Sequence, residues 1–541
     1  MESSELPLCV LQSSMRDGVK LFCDCYYSLD RSPRPVMLMR TAYGREIAST
    51  LVYAHPTWYL QKGFNVVIQD VRGTGNSEGV FDPLVNEAND GFDTIEWIAS
   101  QEWCDGNVIM YGFSYQGMVQ YLAAGVKPPH LKAIAPAMAG LDFQNDWLFR
   151  NGIFKLYGTL TWALQLDSIR AKSFGDYALF NRIYLATRNF DVSDFRLFDY
   201  QWIRNEFPDS IFHDWLSNRG NSSYWSDRSM LKTDICNIPM LHIGGWFDAC
   251  CEGTVQSYIK LCKLTHSPQQ LIIGPWSHIN WHRFAGVKDY GVEAESFIDL
   301  YQVSWFNAAI NNELSLTNRQ AKIYVLGTDK WAEVECLTAS RHLTLFPGNS
   351  QFGCQGDGRL LSHQPHDTLF DVIVHDPWRP APAKVRESGD TCIASDRRDI
   401  DYRSDNMAYT SEPLDDHLDI LGALTLNLMI EANNASYDLH ATFTYVTLSG
   451  ESIPFASGCV RICDSGKIVA KLTTDHIAIR VKQGDRLRLN ISCSAFPIYE
   501  LNPANNRLQE NCAPADFNCL SLRIYPGKLS LIDIPYSDFD K

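Results

Sequence analysis

The stretch Val108-Ile109-Met110-Tyr111-Gly112-Phe113-Ser114-Tyr115-Gln116-Gly117 decides how the chain reads. It opens as an apolar run of strand length and closes on small residues. Met118-Val119-Gln120-Tyr121-Leu122-Ala123-Ala124, of helical composition, follows at once. A serine at a sharp strand-to-helix turn sits on strained backbone that exposes its hydroxyl, and glycines on both sides permit close approach. The usual form of such a nucleophile elbow is G-x-S-x-G. Here the second glycine falls one place later, as Gly112-x-Ser114-x-x-Gly117. Short Gly/Ser clusters are also plain turns. The strand before and the helix after favour the nucleophile.

On the N-terminal side, Val36-Met37-Leu38-Met39 and Asn65-Val66-Val67-Ile68-Gln69-Asp70 are buried-strand runs, with Tyr43-Gly44 in a loop after the first. The Gly-rich segment Arg72 to Gly79 lacks both G-x-x-x-x-G-K and a complete G-x-G-x-x-G. It therefore reads as a structural turn and not as a phosphate cradle. Asp90 to Ser100 sets Phe92, Ile95, Trp97 and Ile98 in a helical pattern, and Ala133-Ile134-Ala135-Pro136 is the strand after the elbow. This rhythm predicts a parallel sheet with helices on both faces, an α/β fold.

From about 141 to 230 aromatics are dense and helical spacing dominates, which predicts an inserted helical cap. Strand runs return at Ile238–Ile243 and Gln270–Gly274, and Ala321–Leu326 is expected to be the last strand of this layer. Beyond about 340 the chain is almost purely β. Leu424, Leu426, Leu428 and Ile430 alternate with polar or flexible residues, as do Leu487, Leu489 and Ile491, the mark of half-buried strands. Pro377, Pro380 and Pro382 mark a long loop near its start, and a β-sandwich or jelly roll is expected. The division is thus 1–140 with 231–340 for the catalytic unit, 141–230 for the cap, and 341–541 for the β-domain.

At 541 residues, 45% hydrophobic and 20% charged, the chain is globular and long enough for two to four domains. A net charge of −16 argues against a nucleic-acid partner, which needs a basic face. There is no apolar run of eighteen residues to span a membrane. Met1-Glu2-Ser3-Ser4-Glu5 lacks the basic and apolar regions of a signal peptide, so a cytoplasmic location is expected. The sixteen cysteines are scattered without C-x-x-C zinc spacing and read as reduced thiols, with no metal and no cofactor implied. Sequons at Asn221, Asn434 and Asn490 carry little weight without secretion.

A serine nucleophile needs a base to take its proton and a third group to hold that base. In an α/β-hydrolase these follow in the order Ser, Asp, His, each just after a sheet strand. Asp248, in Gly244-Gly245-Trp246-Phe247-Asp248, and His278, in Gly274-Pro275-Trp276-Ser277-His278, satisfy both conditions. The competitors are weaker. His242 lies inside a strand, His282 lies farther from one, and Asp70 precedes the serine.

Together these segments resemble the cocaine-esterase and Xaa-Pro dipeptidyl-peptidase family of α/β-hydrolases. The resemblance rests on Arg40-Thr41-Ala42-Tyr43-Gly44, on Asp70 to Gly75 with Ser77-Glu78-Gly79, and on the Gly112–Gly117 elbow. It continues through Gly245-Trp246-Phe247-Asp248, Gly274 to His278 and Ser494-Ala495-Phe496-Pro497, in family order over most of the chain. It implies a serine hydrolase with a helical cap and a C-terminal jelly-roll, galactose-binding-like domain. It implies a triad of Ser114, Asp248 and His278, with an oxyanion hole made by the Tyr115 backbone N–H and the Tyr43 phenol. Trp147 and Trp162 look like the cap tryptophans that line the acyl pocket, with Phe247 and Cys250 beside them.

One departure bears on substrate. Relatives acting on α-amino esters place carboxylates just after the triad aspartate, where this chain has Cys250 and Cys251, then Glu252. The expectation is a cofactor-independent enzyme cleaving a small-molecule ester, or an amide, through an acyl-enzyme. Xaa-Pro dipeptidyl-peptidase activity is the alternative. A silent protein that binds through its β-domain is the rival from another class.

Overall fold

Apolar strand runs assemble into one ten-stranded sheet that is parallel in the middle and antiparallel at both margins. The computed structural model describes residues 8–28, 30–46, 50–189, 197, 199–230, 235–315, 320–348, 358–366, 369–384, 395–464, 466–527 and 529–540. The Met1–Glu5 terminus read above lies outside them. The strands are β1 (Leu8–Ser14), β2 (Lys20–Tyr26), β3 (Arg34–Thr41), β4 (Asn65–Asp70) and β5 (Cys104–Phe113). They continue as β6 (Leu131–Ala137), β7 (Met240–Phe247), β8 (Gln269–Ser277), β9 (Ala321–Val325) and β10 (Lys330–Val334). In space they run β1-β2-β4-β3-β5-β6-β7-β8-β9-β10.

Two expectations need correcting. The sheet is not wholly parallel: β1 and β2 form an antiparallel hairpin laid on β4. Nor is the run at 321 the last strand, because β10 folds back antiparallel on β9. Both additions cover strand edges that would otherwise expose unpaired backbone.

In the parallel centre, alternate residues serve opposite cores. Val36, Leu38, Val108 and Met110 face one side with Ile95 and Ile98 of α1 (Glu87–Ala99) and Met118 of α2 (Tyr115–Ala124). Met37, Met39, Ile109 and Tyr111 face the other, with Phe306 of the helix Ile298–Ile310. Burial on both faces is why these strands read as continuous apolar runs rather than alternating ones.

Between β6 and β7 lie a π-helical turn (Phe143–Leu148), a short hairpin (Phe149–Arg150 with Ile153–Phe154) and helices that include α3 (Leu156–Ser173) and Ile211–Ser217. Their aromatics bury one another: Phe143 packs edge-on against Trp147, Trp162 and Trp215.

From Arg341 onward the regular elements among the described residues are almost all strands. Leu418–Ala432 pairs antiparallel with Ile468–Val481 along most of its length, and Leu424, Leu426, Leu428 and Ile430 are buried as expected. Arg486–Ser492 departs from the half-buried expectation. It is sandwiched between Asn406–Ser411 and Tyr437–Val446, and its polar residues Arg488, Asn490 and Ser492 are buried too. Arg488 is neutralised there by Asp401 at 2.8 Å, and Asn490 meets Asn406 at 3.1 Å.

Charged contacts tie this β-domain to the rest. Glu500 accepts two hydrogen bonds from Arg219 of the inserted segment, both at 2.8 Å, and lies 3.0 Å from Arg461. It also accepts from the Phe154 N–H at 3.1 Å. Glu500→Ala strips a buried carboxylate from two guanidiniums and one amide. Each arginine keeps one other carboxylate, Glu510 or Asp438, so the expected loss is about 3 kcal/mol, at the low end for a broken buried pair. Equilibrium unfolding reads it, and an unchanged midpoint would show the contact to be inert.

Candidate active site

Ser114 sits between the end of β5 and the start of α2 with φ +60° and ψ −127°, outside the range a side chain prefers. Neighbouring backbone holds it there: its N–H donates to the Ala137 carbonyl at 2.9 Å, and the Gly117 N–H donates to its own carbonyl at 2.8 Å. The late glycine has a packing reason. A Cβ on Gly117 would come within 2.7 Å of the Ala137 oxygen, and one on Gly112 (φ +133°) within 2.6 Å of Gln116 Cβ. The close crossing of α2 over β6 therefore requires a glycine at 117, and the second position of the usual elbow is free to carry Gln116.

β7 ends one residue before Asp248 and β8 one residue before His278, so both side chains emerge at the same edge of the sheet as Ser114. His278 Nδ1 lies 2.6 Å from Asp248 Oδ1, and Nε2 lies 2.9 Å from Ser114 Oγ. With the Nδ1 proton donated to Asp248, Nε2 is left to accept from the serine hydroxyl. Asp248 is 1% exposed. The competitors are occupied elsewhere. His242 is bound between Tyr121 and Gln269, and burial pushes its pKa down to about 4. His282 is exposed beside Glu295, and Asp70 is paired with Arg45. Donor atoms of Asp248, Cys250 and His278 lie within 4.8 Å of one another, a mixed set of the kind zinc accepts, though Asp248 and His278 already bind each other.

The helix that begins at Tyr115 receives no side-chain cap from Ser114, so its first N–H groups point towards the serine with the positive end of the helix dipole. The Tyr115 side chain leads away and donates to Glu87 at 2.8 Å. Tyr43, in the loop after β3, approaches from the other side. Its oxygen accepts a hydrogen bond from Trp162 Nε1 at 3.0 Å, and it also interacts with Ser114. Burial pushes its pKa up to about 12, so the phenol keeps its proton. The Trp162 donor occupies the phenol's acceptor side and leaves its O–H to donate. The sequence reading has Trp162 as a wall, and this bond to Tyr43 goes beyond it.

Trp147 packs on Trp162 at 5.4 Å between centroids, and Trp162 stacks on Trp215 at 5.3 Å. Phe247 belongs to a different core, against Tyr290 at 5.5 Å. Cys250 is buried close to Asp248 and His278, and that burial raises its thiol pKa. Glu252 turns away: it accepts from the His476 backbone N–H at 2.8 Å and lies 3.1 Å from the His476 ring. Burial opposes its ionisation, but His476 outweighs that and draws its pKa down to about 2.

The residue that no motif pointed to is Asp146. It wedges between Gly140 and Gly253, where a Cβ on either would strike it within 2.7 Å. Its carboxylate accepts from the Asp142 N–H at 2.9 Å, and burial pushes its pKa up to about 7. The fold therefore favours its neutral form. Against an unfolded value near 3.8, the wild type loses stability as pH rises from about 4 to about 7 and no further above that. Asp146→Asn should accordingly gain in melting temperature over wild type across that interval, with a constant gain at higher pH. A gain independent of pH would refute the assignment.

Residues 17–280 match the family model described as X-Pro dipeptidyl-peptidase (S15 family), and residues 317–517 match that of the X-Pro dipeptidyl-peptidase C-terminal non-catalytic domain. The chain is 26% identical over 550 residues to the cocaine esterase of Rhodococcus sp., with 92% of this chain and 93% of that protein covered. The fold is shared with an aminopeptidase from a marine-sediment Thaumarchaeota archaeon (TM-score 0.81, 20% identity, 99% and 98% covered). It is also shared with an α-amino-acid ester hydrolase (TM-score 0.78, 20% identity, 99% and 98% covered). An α/β-hydrolase unit followed by a separate all-β domain, with this ancestry, makes the chain a serine hydrolase of the cocaine-esterase and X-Pro dipeptidyl-peptidase (S15) family.

Proposed function

We propose that the chain cleaves carboxylic esters through an acyl-enzyme, with Ser114 as nucleophile, His278 as base and then acid, and Asp248 as the group that orients His278. The observation that carries this is the unbroken hydrogen-bond chain from Ser114 through His278 to the buried Asp248. As Ser114 Oγ attacks the carbonyl carbon, its proton passes to His278 Nε2, and Asp248 stabilises the imidazolium. Negative charge gathers on the carbonyl oxygen, where the Tyr115 N–H and the Tyr43 phenol donate. Collapse of the intermediate expels the alcohol with the proton from His278. Water then repeats the sequence on the acyl-enzyme and releases the acid.

An ester, rather than a peptide with a free amine, suits the surroundings. The Rhodococcus relative is a cocaine esterase. Cys250 and Cys251 offer an ammonium no charge, Glu252 is committed to His476, and burial favours neutral Asp146. Trp147 and Trp162 supply an apolar wall for the acyl group. Within this reading, residues 1–140 and 231–340 form the hydrolase unit, 141–230 the cap, and 341–541 a jelly-roll domain.

A fluorophosphonate should label Ser114 and no other serine, as mass spectrometry of the intact and digested protein would show. Neutral aryl esters should be turned over with higher kcat/KM than α-amino esters or Gly-Pro anilide. Label on another serine would sink the triad; a clear preference for the free amine would turn the reading towards the peptidase.

Tyr43→Phe removes one oxyanion donor and should lower kcat about 10²–10³-fold with little change in KM. Trp162→Phe keeps a ring but frees the phenol's acceptor side, so a smaller loss in kcat is expected. Steady-state kinetics on a fast aryl ester separates the two. A Tyr43→Phe enzyme with near wild-type kcat, chemistry being rate-limiting, would falsify the donor role.

A further inference from the structure

Apart from the triad, the described residues enclose a cavity of about 450 Å³ where the hydrolase sheet meets the β-domain. None of Ser114, Tyr43, Trp147, Trp162 or His278 lines it. Its walls are Phe247, Tyr290 and Leu326 from one side and Tyr445 and Phe455 from the other. Such a volume, mostly apolar with a few polar groups, is that of a small-molecule site.

Its charged groups are mainly cations, Lys288, Arg480 and Lys482. Arg480 is already held by Asp419 and Asp540. Lys288 differs. It lies over the Tyr290 ring at 4.8 Å, and among the described residues no carboxylate comes within ion-pair distance of it. Burial holds its pKa below the ordinary lysine value; Asp329 opposes this from a distance and Lys482 adds to it. Lys482 lines the same cavity from the exposed rim. The one carboxyl in the wall is Asp485, whose own pKa is raised by burial. A half-buried ammonium without a counter-ion is costly unless something negative arrives to meet it.

We propose that this cavity binds a small aromatic carboxylate, its ring between Phe247, Tyr290 and Tyr445 and its carboxylate on Lys288 and Lys482. The site requires no chemistry at Ser114, so it stands or falls apart from the esterase reading. An aromatic acid satisfies both features at once: the ring replaces water against the aromatic walls, and the carboxylate completes a charge-assisted pair with Lys288.

Calorimetric titration of the full chain with 2-naphthoate tests this, with 2-naphthalenemethanol as the neutral counterpart. One equivalent of naphthoate should bind, and the alcohol at least about tenfold more weakly, the usual worth of a hydrogen bond to a charge. Lys288→Met should weaken naphthoate by a similar factor. Leu448→Trp, which places a bulky ring at a lining position that is 85% exposed in the native chain, should block it. Circular dichroism checks that both variants fold, and the exposure of Leu448 makes the second a safeguard if the first is unstable. No naphthoate binding, equal binding of the alcohol, or naphthoate binding that ignores both substitutions and so belongs to the acyl pocket, would each overturn the proposal.

Discussion

The site depends on one constraint, the left-handed backbone of Ser114. A strand that ran straight into its helix would hide the hydroxyl in the sheet. Turning the chain through a positive φ lifts it clear and aims the first N–H groups of α2 towards it. That conformation is unfavourable for a residue with a side chain, so it has to be over-determined by its surroundings. Here the surroundings are the Ala137 carbonyl, the close crossing at Gly117, and the Gln116 side chain lying over Gly112.

Much of this was legible in the sequence, for a local reason. Elbow, aspartate and histidine each follow directly on an apolar strand, and strand ends in a parallel sheet converge on one edge. Reading where the strands stop therefore locates three side chains that meet across 164 positions of chain. The antiparallel margins were not legible, because nothing local tells β2 to pair with β4 or β10 to turn back on β9. The same holds for Arg488, whose alternation with leucines looks like a solvent-facing row until Asp401 is found beside it. Charge compensation at long range leaves no periodic trace.

The site also draws on segments that carry no motif. Trp162 reaches Tyr43 across 119 positions, and that bond makes a tryptophan of the inserted segment a partner of the Tyr43 phenol. Asp146 was overlooked because an isolated aspartate in an aromatic stretch looks like a solvated residue. Only the paired small residues Gly140 and Gly253, far apart in sequence, reveal that it is wedged indoors. The inserted segment reaches Tyr43 and Gly253 through packing, while the strand ends set where Ser114, Asp248 and His278 meet.

The link between Glu252 and His476 has a consequence for the order in which the molecule is made. Glu252 stands four residues after Asp248, and the partner that fixes it is made 224 residues later. Synthesis at roughly 5–20 residues per second separates the two by about 10–45 s. Through that interval Glu252, in the first turn of the helix Cys251–Leu264, has no His476 to meet. The apolar side chains around Trp246 and Tyr324, which pack in one core with the β-domain, also remain uncovered. A chain interrupted between His278 and His476 would hold Ser114, Asp248 and His278 and yet present to its neighbours an adhesive flank.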